Sequence, residues 1–260
     1  MGAEDARLRT FWDERYRSFS LSESGWMGAG ERLNDRIYAC KLQALRAALA
    51  ARGLTPATRW SVLDAGCGQG YFARFYRREF PGAQYVGLDI SERAVQHLRR
   101  EIQDVEFHRT DLCDWSDPSG RAFDVIQSFE VLHLILDDDT FARALASLSS
   151  RLAPRGSLFV TAALPDCTLQ PNDYLRYRSR ALWADALASL KLRIVTERPM
   201  YFWLPAGGPR NKYLRYALTR LGPLSPDVLY FMDRAALTFG LPPVDSMDCQ
   251  TQLLTIERIA

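Results

Sequence analysis

Apolar and polar positions alternate in two rhythms along this chain. Short, mostly apolar runs at residues 60–63, 84–88, 123–128 and 157–163 read as buried strands. Residues 105–110 read as a further strand between them. Stretches with apolar residues three and four apart read as helices at 71–79, 91–101 and 138–152. Ser91 supplies an N-cap, and Pro154 with Gly156 closes the third helix. Strict alternation of strand and helix predicts a parallel sheet with crossovers on both faces.

The flanks extend this pattern. Phe11, Trp12, Tyr16 and Phe19 recur at near-helical spacing over residues 4–20. Ile37, Leu42, Leu45 and Leu49 line a helix over 34–52, with Gly53 as its C-cap and Pro56 as its stop. A loop carrying Trp26 and Met27 lies between them, to be packed on the body or closed over a ligand. Downstream, 173–190 reads as a helix, 192–203 as a sixth strand and 252–259 as the last strand. Residues 205–244 form an insertion rich in Pro, Gly, Leu and aromatics, with helical pieces at 213–218 and 228–232. The expected fold is α/β: a doubly wound, mostly parallel seven-stranded sheet with helices on both faces. An N-terminal helical cap (1–58) precedes the core (59–165). The remainder (166–260) completes the sheet and carries the insertion before the last strand.

Candidate chemistry sits where strands end. Asp64, Gly66, Gly68 and Gly70 follow the first apolar run and open a helix. Glycine admits close backbone approach, and a helix start offers free N–H groups. Asp89 ends the second strand, nineteen residues past Gly70, placed to accept hydrogen bonds from ribose hydroxyls. Asp111 ends the third, with Leu112 beside it to pack on a base, and Phe129 follows the fourth. In a sheet of this kind ligand binds at the carboxyl ends of the strands, so one site collects all of these. A nicotinamide fingerprint would need glycine at position 71, where this chain has Tyr71.

These residues resemble the class I S-adenosylmethionine-dependent methyltransferases of the Rossmann-like, small-molecule type, over roughly residues 59–165. The resemblance implies S-adenosylmethionine as cofactor. The segment Asp64, Ala65, Gly66, Cys67, Gly68, Gln69, Gly70 looks like the motif that holds its methionine end. Asp89, with Ile90, falls where the ribose is met, and Asp111 with Leu112 where adenine is met. Ser128 and Phe129 lead into a segment that faces the methyl group. The 4–20 stretch resembles a cap, with Tyr16 offering a hydroxyl to the cofactor carboxylate. The insertion walls the acceptor pocket. His133, as base or orienting group, and Glu130 are the candidate catalytic residues; each has the alternative of a purely structural role. His97 and His108 fall away from the expected site.

Composition narrows the function. A net charge of +2 over 260 residues implies no global nucleic-acid field. Residues 171–220 carry ten basic residues against three acids, a local excess of +7. Arg176, Arg178 and Arg180 there read first as solvated surface, and on a sharper reading as a mouth for an anionic acceptor. Arg32 and Arg36 read likewise as surface, with contact to the cofactor carboxylate as the alternative. Five scattered cysteines without Cys-x-x-Cys predict reduced thiols, a cytoplasmic setting and no metal site. The charged start predicts no signal peptide, and no apolar run reaches membrane-spanning length. Asp137, Asp138 and Asp139 predict an acidic helix N-terminus rather than metal ligands. The expected activity is methyl transfer to oxygen or nitrogen of a small molecule. The alternatives are an RNA or protein methyltransferase using the basic region, and a binder of S-adenosylmethionine that transfers nothing.

Overall fold

A computed structural model describes residues 3–26, 30–117, 119–201, 225–239 and 251–259. The chain opens with helices α1 (Ala3–Arg15), α2 (Leu21–Ser24) and α3 (Gly30–Ala51). The core then alternates β1 (Trp60–Ala65), α4 (Tyr71–Glu79), β2 (Ala83–Asp89), α5 (Glu92–Glu101), β3 (Glu106–Arg109) and β4 (Phe123–Ser128). A single 3₁₀ turn (Leu132–Leu134) leads to α6 (Asp138–Ser150) and β5 (Leu152–Ala162). A small hairpin, β6 (Leu169–Asn172) and β7 (Leu175–Tyr177), precedes α7 (Arg180–Ser189) and β8 (Leu192–Pro199). Helix α8 (Pro226–Phe239) and strand β9 (Gln252–Arg258) complete the described chain.

Seven strands form one sheet in the order β3-β2-β1-β4-β5-β9-β8. The first five are mutually parallel, and β9 runs antiparallel to both β5 and β8. This is the expected doubly wound, mostly parallel architecture. Its strands are apolar at consecutive positions because successive side chains enter opposite layers. Val62, Val125 and Phe159 join Leu45 of α3, Phe72 of α4 and Leu98 of α5 on one face. Leu63, Ile126 and Leu158 join Phe141 of α6 and Trp183 of α7 on the other. The chain passes from β1 to β2 on one side and reaches β4 on the other, so a crevice opens at the carboxyl ends of these strands.

Local signals hold at several ends. Gly53 takes φ +70° after α3, and Leu54 N–H donates back to Leu49. The hydroxyl of Ser91 accepts from Ala94 N–H, and the carboxylate of Asp137 accepts from Thr140 N–H at the start of α6. The Val228–Met232 piece of the insertion lies within α8, whose Asp227 pairs with Arg32 and Arg36 of α3. Those two arginines are thereby engaged away from any cofactor carboxylate. The 213–218 piece and Met27 lie outside the described residues.

Four expectations are corrected. The first helix stops at Arg15, whose guanidinium turns to the carbonyls of Ser22, Glu23 and Gly25. The fifth strand starts at Leu152 rather than 157, because a register shift opposite Phe123 and Val125 absorbs Pro154. The sixth strand ends at Pro199. The predicted helix at 173–190 starts only at Arg180, and the residues before it form the turn and second strand of the hairpin. There, long-range pairing overrides local helical preference. The Arg178 side chain, 1% exposed, donates to Asp138 and to the carbonyls of Ile135 (2.8 Å) and Asp137 (3.0 Å). Arg176 donates to the same Asp138 at 2.7 Å, and Arg180 pairs with Glu197. Arg176 and Arg178 are therefore tied to Asp138 rather than solvated, whereas Arg180, with its side chain 52% exposed, is a surface residue in an ion pair.

Arg178 thus pins the hairpin to the segment between β4 and α6. Arg178→Met should lower unfolding free energy by roughly 1–3 kcal/mol, since carbonyls lose their donor inside the protein. Arg176→Met, breaking a more exposed pair, should cost less than about 1 kcal/mol. Urea unfolding of both variants checks the difference, and equal effects would refute the buried clamp.

Candidate active site

The glycine turn is shaped by the strand beside it. Gly66 and Cys67 both donate N–H to the carbonyl of Leu88 at 2.8 Å, folding the chain across the end of β2. Gly66 and Gly68 take φ +93° and +53°, a region costly for other residues. A Cβ on Gly66 would meet Val131 at 2.2 Å, so no side chain fits there. The Asp89 carboxylate then locks the turn, accepting from Gly68 N–H at 2.8 Å and Ser91 N–H at 2.9 Å. Thr110 N–H donates to the Asp89 carbonyl, joining β3's end to the same point.

Beside this turn lies a solvent-open cavity with about 1080 Å³ of space not filled by protein, the open mouth included. Tyr16, Gly66, Cys67 and Gly68 line it, as do Asp89, Ile90, Asp111, Leu112 and Phe129. These nine of the twelve predicted cofactor residues are thus gathered around one space. The other three sit behind the wall. Asp64 accepts from the Tyr85 hydroxyl, and the Ser128 hydroxyl donates to the Ala65 carbonyl at 3.1 Å. They brace β1 against its neighbours and do not face the cavity.

The cap is docked, not peripheral. Asp13 of α1 accepts from the Ser91 hydroxyl at 2.6 Å and from Arg93 N–H, holding α1 on the start of α5. That seats Trp12 and Tyr16 in the cavity wall, with the Tyr16 hydroxyl against Gly68. Phe19 stacks on His97 at 3.7 Å, which gives that histidine a packing partner away from the cavity. His108 pairs with Glu106, also away from it. Sequence reasoning missed Tyr38 and Ser24, which meet Gln69 of the glycine motif there: Tyr38 donates to the Ser24 hydroxyl at 3.1 Å, and the Gln69 amide contacts the same hydroxyl. Tyr71 and Phe72, directly after Gly70, were legible as helix start but not as wall.

Burial governs the charges. It pushes the carboxyls of Asp64 and Asp89 up to about 6, against the hydrogen bonds from Tyr85 to the first and from Ser91 and Gly68 N–H to the second. A carboxylate so short of solvent gains from hydroxyl donors, which is what a ribose offers. The glycine turn, Asp89 and the aromatic cap therefore fit S-adenosylmethionine. Glu130 also lines the cavity, with φ +60° and its N–H on the Thr161 hydroxyl at 2.6 Å. Its carboxylate lies 3.8 Å from His133 Nε2 and 3.5 Å from Lys41 Nζ. Burial pushes Glu130 up, but Lys41 and His133 outweigh it and hold the carboxyl below its usual value. Burial pulls His133 down, leaving a neutral imidazole at neutral pH; it stands behind Glu130 and does not itself line the cavity. Lys41 was not singled out in the sequence, since it lies on a helix face otherwise apolar.

Comparison with known proteins places this geometry. Residues 34–221 match a family model described as a methyltransferase domain. The trans-aconitate 2-methyltransferase of Acidovorax sp. (strain JS42) is 34% identical over 142 residues, 54% of this chain and 52% of that one. A dTDP-3-amino-3,4,6-trideoxy-alpha-D-glucopyranose N,N-dimethyltransferase of Streptomyces venezuelae is 30% identical over 101 residues, 38% of this chain and 41% of that one. The match thus spans about half the length of the curated relatives or less. The magnesium protoporphyrin IX methyltransferase of Synechocystis PCC 6803 shares the fold, with TM-score 0.60 and 15% identity over 99% of this chain and 98% of that one. No described helix is long and apolar enough to cross a membrane.

The raised Asp89 sets a pH dependence. Only its ionised form accepts from two hydroxyls, so binding must expel a proton below about pH 6. Affinity for S-adenosylmethionine should be flat above that point and fall up to tenfold per unit as pH drops below it. Calorimetry across pH 4.5–8 reads this, and Asp89→Asn should abolish the dependence along with most of the affinity. A flat profile in the parent would refute the ribose contact.

Proposed function

This chain belongs to the methyltransferase-domain family, and we propose that it moves a methyl group from S-adenosylmethionine to oxygen or nitrogen of a small-molecule acceptor. The observation that carries this reading is one cavity lined both by a glycine turn with Asp89 and by Glu130 backed by His133. Bound S-adenosylmethionine supplies a methyl carbon on positively charged sulfur, open to in-line displacement. Asp89 would take the ribose hydroxyls, Asp111 and Leu112 the adenine, and the 66–68 turn the methionine end. Tyr16 and Trp12 of the cap exclude water. Positioning of this kind supplies much of the rate in a displacement.

The proton-transfer role falls to the Glu130–His133 pair: Glu130, which lines the cavity, accepts the acceptor's proton, and the neutral His133 3.8 Å behind it receives that proton in turn. An alcohol or phenol needs such a base, whereas a neutral amine attacks unaided. An anionic acceptor finds support in the substrate named for the trans-aconitate relative. The described lining favours a different class. Its charged residues are Asp89, Asp111 and Glu130, and Arg176, Arg178 and Arg180 are spent on Asp138 and Glu197. That supports an acceptor recognised as a hydrogen-bond donor, through its hydroxyl or amine.

Methyl-labelled S-adenosylmethionine incubated with the protein and fractionated cell extract should place label in a small-molecule fraction. Label in RNA or protein, or none despite cofactor binding, would overturn the reading. With the acceptor in hand, His133→Asn should lower kcat by about 10²-fold or more if oxygen is methylated, with cofactor affinity unchanged.

A further inference from the structure

The chain has three lysines, and Lys41 is the one whose side chain lies inside α3's buried face, 1% exposed. An ammonium withdrawn from water is costly, and an apolar side chain of similar volume commonly packs as well or better. Packing therefore does not account for a lysine here. Its polar surroundings are specific: Nζ lies 3.5 Å from Glu130 Oε1 and 4.5 Å from the centre of the Tyr38 ring. That Glu130 oxygen is buried without a hydrogen bond, so Lys41 is the cation facing it. The other oxygen of the same carboxylate faces His133. The left-handed backbone of Glu130, tied to Thr161, sets the carboxylate between the two.

We infer that Lys41 is a positioning residue of the acceptor end: its buried ammonium holds the Glu130 carboxylate ionised and turned so that one oxygen stays on His133. This inference rests on reading Glu130 and His133 as the acceptor-side pair. The geometry is that of three links, Lys41 from α3, Glu130 from the loop after β4 and His133 from the 3₁₀ turn. Without Lys41, the buried Glu130 carboxylate would draw its counter-charge from an imidazolium at His133. With Lys41, His133 starts neutral, which is the state a base needs.

The remaining groups around the cluster are accounted for. Tyr201 packs beside Glu130, with burial pushing its phenol well up, so it stays neutral. The ring of Tyr177 of β7 lies 5.7 Å from that of His133. Cys40, next to Lys41, is pushed by burial up to about 12, and it faces Arg234 and Asp233 of α8. The charges felt directly by His133 are those of Glu130, which favours the imidazolium, and Lys41, which opposes it.

The test needs neither cofactor nor acceptor. The 260-residue chain, labelled with ¹³C-histidine, carries three histidines, and the His133 resonance is identified by its loss in His133→Asn. Its titration is then followed by NMR. Lys41→Met should raise the His133 midpoint by at least one pH unit, a tenfold change in proton affinity, and Lys41→Arg should restore it. Glu130→Gln should move it down, and this variant decides the matter if Lys41→Met does not fold. A midpoint unchanged in Lys41→Met, or in Glu130→Gln, would overturn the inference. Cofactor binding measured on the same samples separates that failure from a failure of the methyl-transfer reading.

Discussion

The structure turns on one carboxylate. Asp89 ends β2, and its two oxygens hold Gly68 N–H from the β1 turn and Ser91 N–H from the start of α5. The Leu88 carbonyl fastens the same turn by accepting from Gly66 and Cys67 N–H. The cap depends on the same place, since Asp13 docks on Ser91 and so brings Trp12 and Tyr16 over the turn. Cofactor floor, cap and helix start are therefore coupled through a single side chain that is itself short of solvent. A ligand that donates hydrogen bonds to Asp89 would relieve that shortage while closing the site.

Electrostatics extend the argument. Asp64 lies behind the turn, and Asp89, Asp111 and Glu130 line the cavity, so its described wall is built on acids. Such a field suits a cationic sulfonium, and the aromatic rings of α1 add a weaker attraction of the same sense. Among the described residues, two cations stand behind this wall. Lys41 balances Glu130, and Arg178 balances Asp138 while satisfying carbonyls of the loop between β4 and α6. The two buried cations thus brace the segment that carries Glu130 and His133, one from α3 and one from the hairpin.

Much of this was legible before any coordinates. Gly66, Gly68, Asp89, Asp111 and Leu112 announce themselves because each depends on local geometry: a turn needs glycine, and a strand end exposes the residue that follows. Asp64, Ala65 and Ser128 belong to the same motif, but they face inward, and a one-dimensional motif does not distinguish the wall from what stands behind it. The hairpin at 169–177 was misread as part of a helix because its stability comes from Arg176 and Arg178 reaching Asp138 nearly forty residues away. The arginine excess of that region looked like a surface field for the same reason.

The sequence by itself determined the alternation of strand and helix, the doubly wound sheet and the glycine turn. These follow from side-chain periodicity and from backbone conformations that only certain residues adopt. Only the tertiary structure decided which residues share the cavity, where Tyr38, Ser24 and Gln69 meet, and that Lys41 faces Glu130. Those outcomes are contacts between distant segments, and no local pattern encodes the partner of a buried charge.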